Sequence, residues 1–204
     1  MAEIGRCGKF AKHQNLAKTM AQSKSFLPQK GNYKGLIVYQ KAECIYDITY
    51  YFAHHFLAAN DRTVDQMVQA ARSGKQNIAE GSAASTTSTE SEIKLTNVAK
   101  ASLQELLTDY EDFLRTRGLE QWSEEDERYI QARKVCGEHN NSAYYRALLP
   151  NRSAETIANI AITLIHQADY LLYRLLERLK QDFLQNGGVR EQMYNARLGV
   201  REDK

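Results

Sequence analysis

Proline is almost missing from this chain. Its two copies are Pro28 and Pro150, and more than a hundred residues separate them. Such a stretch suits long helices, because nothing in it removes a backbone donor or forces a kink. Cysteine is scarce too. Cys7, Cys44 and Cys136 are odd in number and far apart, which excludes a disulfide framework and a zinc spacing. Reduced thiols in a cytoplasmic protein are the natural reading. No run of eighteen apolar residues occurs, so no membrane span is expected. The basic N-terminus lacks the apolar run of a signal peptide.

The signatures of catalysis are also missing. There is no Glu-x-x-His or Asp-x-x-His for a di-metal bundle and no His-Glu-x-x-His. His54 and His55 are neighbours, and neighbours on a helix point apart, so they cannot grip one metal. His13, His139 and His166 stand alone. Gly74-Lys75 is no phosphate loop, since the upstream glycine is absent and Gln76 replaces Ser or Thr. No Gly-x-Ser-x-Gly and no Cys/His pairing stands out. The expectation is a chain without enzyme activity, cofactor, metal or small-molecule substrate.

What is present is helical periodicity centred on residues 65–81. Met67, Ala71, Gly74 and Ile78 fall on one side at steps of four, three and four. Ala71 and Gly74 keep that side thin, so a second helix can approach closely. A glycine inside a helix costs about 1 kcal/mol against alanine, and close packing is the expected return. The plainer alternative is a polar helix with an incidental glycine. Asn77 and Glu80 set an amide and a carboxylate beside the thin face, and Gly81 reads as the helix end.

Upstream, Val38, Ala42, Ile45, Thr49, Phe52, Phe56 and Ala59 form a heptad-like seam over residues 33–59. Tyr39, Tyr46, Tyr50 and Tyr51 flank it. Tyrosines there suit a core edge or a subunit interface, and base stacking is their other use. Asn60-Asp61 breaks the helix, and Thr63 with Gln66 offers a capping box for the next one. Residues 82–88 read as a loop or frayed extension. Ser88 or Thr89 caps the third helix, whose stripe is Leu95, Val98, Ala99, Ser102, Leu103, Leu106, Tyr110 and Phe113. Ala99 and Ser102 thin this stripe as well, which pairs the helix with the second one. Arg115-Thr-Arg-Gly118 ends it.

Ser123-Glu-Glu-Asp starts a shorter piece running to about Cys136, and another ends at Leu149-Pro150. Ser153 with Thr156 opens the last long helix, with Ile157, Ile160, Ala161, Leu164, Ala168, Leu171, Leu175, Leu179 and Phe183 facing the core. Asn186-Gly-Gly188 stops it. A short charged helix is expected from Val189 to Lys204. The fold class is therefore all-α. The expected architecture is an antiparallel up-down four-helix bundle with a helical insertion before the fourth helix and a short C-terminal helix. Its boundaries are a basic arm at 1–32, the bundle at 33–185 with its insertion at 118–150, and a C-terminal segment at 186–204. Met20 is a candidate start, with residues 1–19 upstream of it.

Charge is uneven. Residues 1–34 hold seven Lys or Arg against Glu3, while the rest holds 20 basic and 24 acidic residues. A basic arm on a mildly acidic body can touch nucleic acid or remain a solvated tail.

Three segments carry a resemblance: Gln69-Ala-Ala-Arg72, Asn77-Ile-Ala-Glu-Gly81 and Ala99-Lys-Ala-Ser-Leu-Gln-Glu105-Leu106. Tyr39-Gln-Lys-Ala in the first helix adds to them. They resemble the bacterial four-helix-bundle proteins related to ribosomal-RNA intervening-sequence proteins. That group includes the accessory variability proteins of diversity-generating retroelements. Phe183-Leu-Gln-Asn-Gly-Gly-Val-Arg-Glu-Gln-Met193, followed by Arg197, resembles the C-terminal suffix of one subgroup. The similarity spans residues 33–201, and the insertion at 118–150 is longer than the plain bundle carries.

The resemblance implies a ring-forming homo-oligomer, typically a pentamer, without enzyme activity. It also implies possible partners, nucleic acid and a reverse transcriptase. Candidate phosphate contacts are Arg72, Lys75, Lys94, Lys100, Arg115 and Arg117. The structural motif comprises Ala71, Gly74, Asn77, Glu80, Gly81, Ser102 and Glu105. Asn77 and Glu80 are expected to hydrogen-bond Ser102 or a basic neighbour, with Glu80 partly buried against Arg72 or an adjacent subunit. The competing reading is a protein-interaction or self-assembly module with no nucleic-acid role, which the near-neutral body favours.

Overall fold

The computed structural model describes residues 32–202, and side chains through Leu198. Residues 1–31 of the basic arm at 1–32, with Cys7, His13 and Met20, lie outside the described residues. All regular structure among the described residues is helical. No helix among them is long and apolar enough to cross a membrane.

A single 3₁₀ turn, Tyr33–Gly35, leads into α1, Ile37–Phe56. Val38, Ala42, Ile45, Thr49 and Phe52 are buried as the seam requires. Lys41, Cys44, Ile48 and Ala53 are buried beside them, so α1 is covered on more than one stripe. The helix stops at Phe56, and Ala59 is exposed beyond it. Leu57 is already extended, which lets the chain turn toward the next cap.

That cap is Asp61, not Thr63. The Asp61 carboxylate accepts from Thr63 N at 2.9 Å. This hydrogen bond holds its carboxyl below the usual carboxylate range. An ionised side chain facing free N–H groups at the positive helix end is a stronger cap than a hydroxyl. Helix α2 then runs Arg62–Ala84. Gly81 does not end it. It stays helical and buried, and its carbonyl accepts from Ser85 N at 3.0 Å. Termination falls to Ser85, Thr86 and Thr87, whose hydroxyls bond back to the carbonyls of Ser82, Ala83 and Ala84. Such local bonds compete with continued helix.

Helix α3, Thr89–Thr116, begins at Ser88, whose Oγ accepts from Ser91 N at 3.1 Å. It ends with Gly118 at φ 63°. Leu119 N donates to Leu114 O and Gly118 N to Arg115 O, the paired bonds of a glycine-dependent C-cap. Val98 is 47% exposed rather than buried. Ala99, Leu103 and Leu106 take the centre of the face, and Val98 falls on its outer edge.

Residues 123–126 form a turn, not a helical start, and Asp126 caps α4, Glu127–Glu138. Asn141 caps α5, Ser142–Leu148, and a 3₁₀ turn, Leu149–Asn151, carries Pro150. Ser153 caps α6, Ala154–Asn186, through Thr156 N at 3.2 Å. Gly187 closes it at φ 68°. Helix α7, Val189–Glu202, follows. On α6 the face drifts from the expected one: Leu172 and Leu176 are buried while Leu171 and Leu175 are half-buried. A seven-residue repeat slips by about 20° per heptad on a straight helix, and α6 is 33 residues long.

Helix α2 packs most extensively on α3. Helix α1 packs on α2 and α6, and α3 packs on α2 and α6. The centre is aromatic. Tyr110 is fully buried and donates to Thr49 Oγ1 at 3.0 Å. Phe52 lies 5.0 Å from the Tyr110 ring and edge-on to Phe113 at 4.7 Å. Helix α4 packs on α6 and α5 on α1, while α7 packs on none of them to a comparable extent.

The thin face forms as expected. Ala71, Gly74 and Ala99 are buried. Gly74 and Gly81 play different parts in it. A Cβ on Gly74 would meet Leu103 Cδ2 at 2.7 Å, whereas one on Gly81 would find Glu92 O and Leu95 Cβ at 3.5 Å. The second is ordinary contact. Gly81→Ala is therefore expected to raise stability by about 0.5–1 kcal/mol, the helix-propensity gain alone. A urea titration checks it, and a lowered midpoint would show the α2–α3 approach to be tighter than this.

Candidate nucleic-acid interface

The six cations singled out from sequence do not gather into one patch. Lys100 is held by Asp169 on α6, which also accepts from Gln104 Nε2 at 2.8 Å. Arg115 pairs with Asp112 at 2.6 Å on its own helix. The Arg117 guanidinium sits 4.1 Å over the Phe113 ring. Arg72 and Lys94 are exposed on α2 and α3. Helical spacing distributed these charges around the surface, and close carboxylates neutralise two of them.

Lys75 is the exception. Its Nζ lies 4.1 Å over the ring of Tyr46 on α1, a cation–π contact. Tyr46 begins a ladder. The Tyr46 and Tyr50 rings are 6.3 Å apart, and those of Tyr50 and His54 4.2 Å. Four-residue spacing puts all three on one side of α1. Alongside, Tyr51 and His55 stack at 3.8 Å with a 19° interplanar angle. Tyr50 is 50% exposed, and both histidines are exposed.

Backbone bonds hold the histidines in place. His54 Nδ1 donates to Tyr50 O at 2.7 Å, and His55 Nδ1 to Tyr51 O at 2.8 Å. A carbonyl only accepts, so Nδ1 carries the hydrogen in both rings. His55 is thus fixed flat against Tyr51 and His54 at a 32° tilt to Tyr50, each with Nε2 directed away from that bond.

A cleft of about 430 Å³ opens beside the ladder, lined by Tyr46, Tyr50, Tyr51, His55 and Arg146. Asp47 forms its floor. It accepts from Ser142 Oγ on α5 and lies 3.7 Å from Arg146 Nε. Helix α5, packed on α1, therefore brings Arg146, paired with Asp47, to the cleft, while α2 brings Lys75 over Tyr46. This arrangement can stack flat, electron-rich rings and meet nearby negative charge. Adjacent histidines cannot share a metal, but each can lie against an aromatic ring one turn earlier. The signal that would have found the site was the double four-residue step, Tyr50 to His54 and Tyr51 to His55.

Within the chain, two residues of the structural motif take other partners than Arg72 and Ser102. Glu80 is exposed and accepts from Gln76 Nε2 at 3.0 Å. Arg72 is eight residues away, about 12 Å along the axis, so the nearer glutamine takes the carboxylate. Asn77 does not reach Ser102 itself. Its Nδ2 donates to Ser73 O at 2.9 Å and to Ser73 Oγ at 3.2 Å. Ser73 Oγ in turn meets Ser102 Oγ at 2.9 Å. Ser73 is the missing link, and it sits one turn before Asn77 on the face of α2 turned to α3. Glu105 is exposed on α3.

No protein-family model, no curated protein and no solved structure matches the chain.

Proposed function

We propose that this protein is a non-enzymatic, oligomeric scaffold that binds nucleic acid or a ribonucleoprotein through α1. The ring ladder Tyr46–Tyr50–His54 with Lys75 at its head carries the reading. Aromatic rings in a row with flanking cations fit single-stranded bases, because every base has a face to stack and every nucleotide a phosphate. The pairing of α1 and α3 each with α2 and α6 supports an antiparallel up-down four-helix bundle. That architecture agrees with the resemblance to intervening-sequence and retroelement accessory proteins, and with a pentameric ring serving a reverse transcriptase in the cytoplasm. Repeated weak patches on a ring act together through effective concentration.

The test is fluorescence anisotropy of a labelled oligothymidylate and a labelled oligouridylate at low salt. Tyr50→Ala is expected to weaken binding roughly tenfold, one base stack of about 1.4 kcal/mol. Tyr50 is half exposed, so the variant keeps its fold. Affinity should also fall as salt rises, since phosphates are contacted. Equal affinity for wild type and variant would remove the ladder from the interface.

A protein-interaction module is the second reading. Val98, Ile130, Tyr170, Tyr173 and Leu184 are large apolar side chains facing outward, with Leu184 82% exposed. Sedimentation velocity of a protein that binds no oligonucleotide yet still assembles would favour it.

A further inference from the structure

Lys41 is 4% exposed, and the ladder makes no use of it. Its Nζ donates to Cys136 O at 2.7 Å and to Gln167 Oε1 at 2.8 Å. Both acceptors are neutral, and an ammonium has three N–H groups. Among the described residues no carboxylate stands within 4 Å of Nζ. The titratable groups that act on the amine are Cys136 and Cys44, and burial pushes their thiols up to about 11 and about 12. They are neutral at physiological pH and do not balance the amine. A buried charge without an opposite charge is costly. Desolvation accordingly draws the Lys41 amine below its ordinary pKa.

Lys41 is not sealed in the core. It lines a cleft of about 430 Å³ between α1, α4 and α6, within the size range of small-ligand sites. Arg133 and His166 line the same cleft, and neither has a carboxylate within 4 Å among the described residues. Glu124 is the single acid in the lining. Ile37, Tyr129, Tyr170 and Leu171 give the wall its apolar and aromatic part, and Thr163, Gln167 and Gly137 complete it. Gln167 ties the site together. It accepts from Lys41, and its Nε2 donates to Arg133 O at 2.9 Å, so one side chain fixes the amine and the helix carrying Arg133.

We propose that this cleft binds a small carboxylate with an apolar, ring-sized body, its carboxylate paired with Lys41 and Arg133. The third Lys41 N–H and the Arg133 guanidinium supply the donors. Ile37, Tyr129 and Leu171 cover the ring. The site shares no lining residue with the aromatic ladder, so it stands or falls independently of nucleic-acid binding.

Calorimetric titration of the full chain tests this with three probes: phenylacetate, its neutral counterpart 2-phenylethanol, and inorganic phosphate. Phenylacetate is expected to bind at millimolar concentration or tighter, with the alcohol at least roughly tenfold weaker, as a desolvated ion pair is worth more than one ring contact. Lys41→Met should abolish phenylacetate binding. Because that change strands the buried Cys136 carbonyl and the half-buried Gln167 Oε1, Arg133→Gln serves as a second variant. Arg133 is exposed, so its fold is kept, and its affinity should drop several-fold. Equal binding of acid and alcohol, no binding of phenylacetate, or undiminished binding in Arg133→Gln overturns the proposal. Phosphate binding without phenylacetate binding overturns the carboxylate assignment.

Discussion

Gly74→Leu is expected to destabilise the protein by about 3 kcal/mol, the upper end for an overpacked core, lowering Tm by roughly 10 °C for a chain of this size. The geometry leaves little choice. Even a Cβ on Gly74 would sit 2.7 Å from Leu103 Cδ2 and 2.9 Å from Leu103 Cγ, with Ala99 O at 3.7 Å. Leu103 is fully buried, as are Ala71 and Ala99 around it. The displaced side chain therefore has no open space to enter, and α2 must move off α3. Gly74→Ala should be milder, because about 1 kcal/mol of helix propensity offsets part of the steric cost. Thermal denaturation of both variants checks the order. A Gly74→Leu protein melting with the wild type would mean that the two helices do not touch there.

The second large effect is expected at Asn159. It is 3% exposed on α6, and its side chain makes three hydrogen bonds. Oδ1 accepts from Trp122 N at 2.9 Å, and Nδ2 donates to Glu120 O and Glu155 O, both at 2.9 Å. One amide thus holds the segment between α3 and α4 against the start of α6. Asn159→Ala leaves the Trp122 N–H and Glu120 C=O without partners. Each stranded group costs about 1–3 kcal/mol, so a loss of about 3 kcal/mol is expected in urea denaturation. Hydrogen exchange should locate the damage, with amides of residues 119–126 losing protection first. Asn159→Asp separates shape from chemistry: it keeps the acceptor for Trp122 N but loses both donors, and should fall between wild type and alanine. A wild-type midpoint in Asn159→Ala would show the connection to be held by Leu119 and Trp122 packing instead.

These two positions differ in how far sequence could reach them. Gly74 was legible because its partners repeat on α2 at helical steps and the matching small residues, Ala99 and Ser102, repeat on α3. Asn159 was not. Its partners at Glu120 and Trp122 are 39 and 37 residues away and are backbone groups, which carry no residue signature. Lys41 escaped for the same reason, since Cys136 O lies 95 residues on. The caps divide similarly. Ser88, Ser153, Gly118 and Gly187 act within one turn, and local chemistry predicted them. Gly81 misled because glycine ends helices and also admits close neighbours. Only the position of α3, with Glu92 O beside it, distinguishes those uses.

By itself the sequence determined the all-helical class, the caps at Ser153 and Gly118, and the thin faces that join α2 to α3. These follow from side-chain spacing and backbone stereochemistry over a few residues. The tertiary structure alone decided which charges are already paired, that Glu80 faces solvent while Lys41 does not, and that Lys75 crosses from α2 to cover Tyr46. Such facts depend on what another helix places opposite, and electrostatics at 3–4 Å is set by that distance rather than by position along the chain.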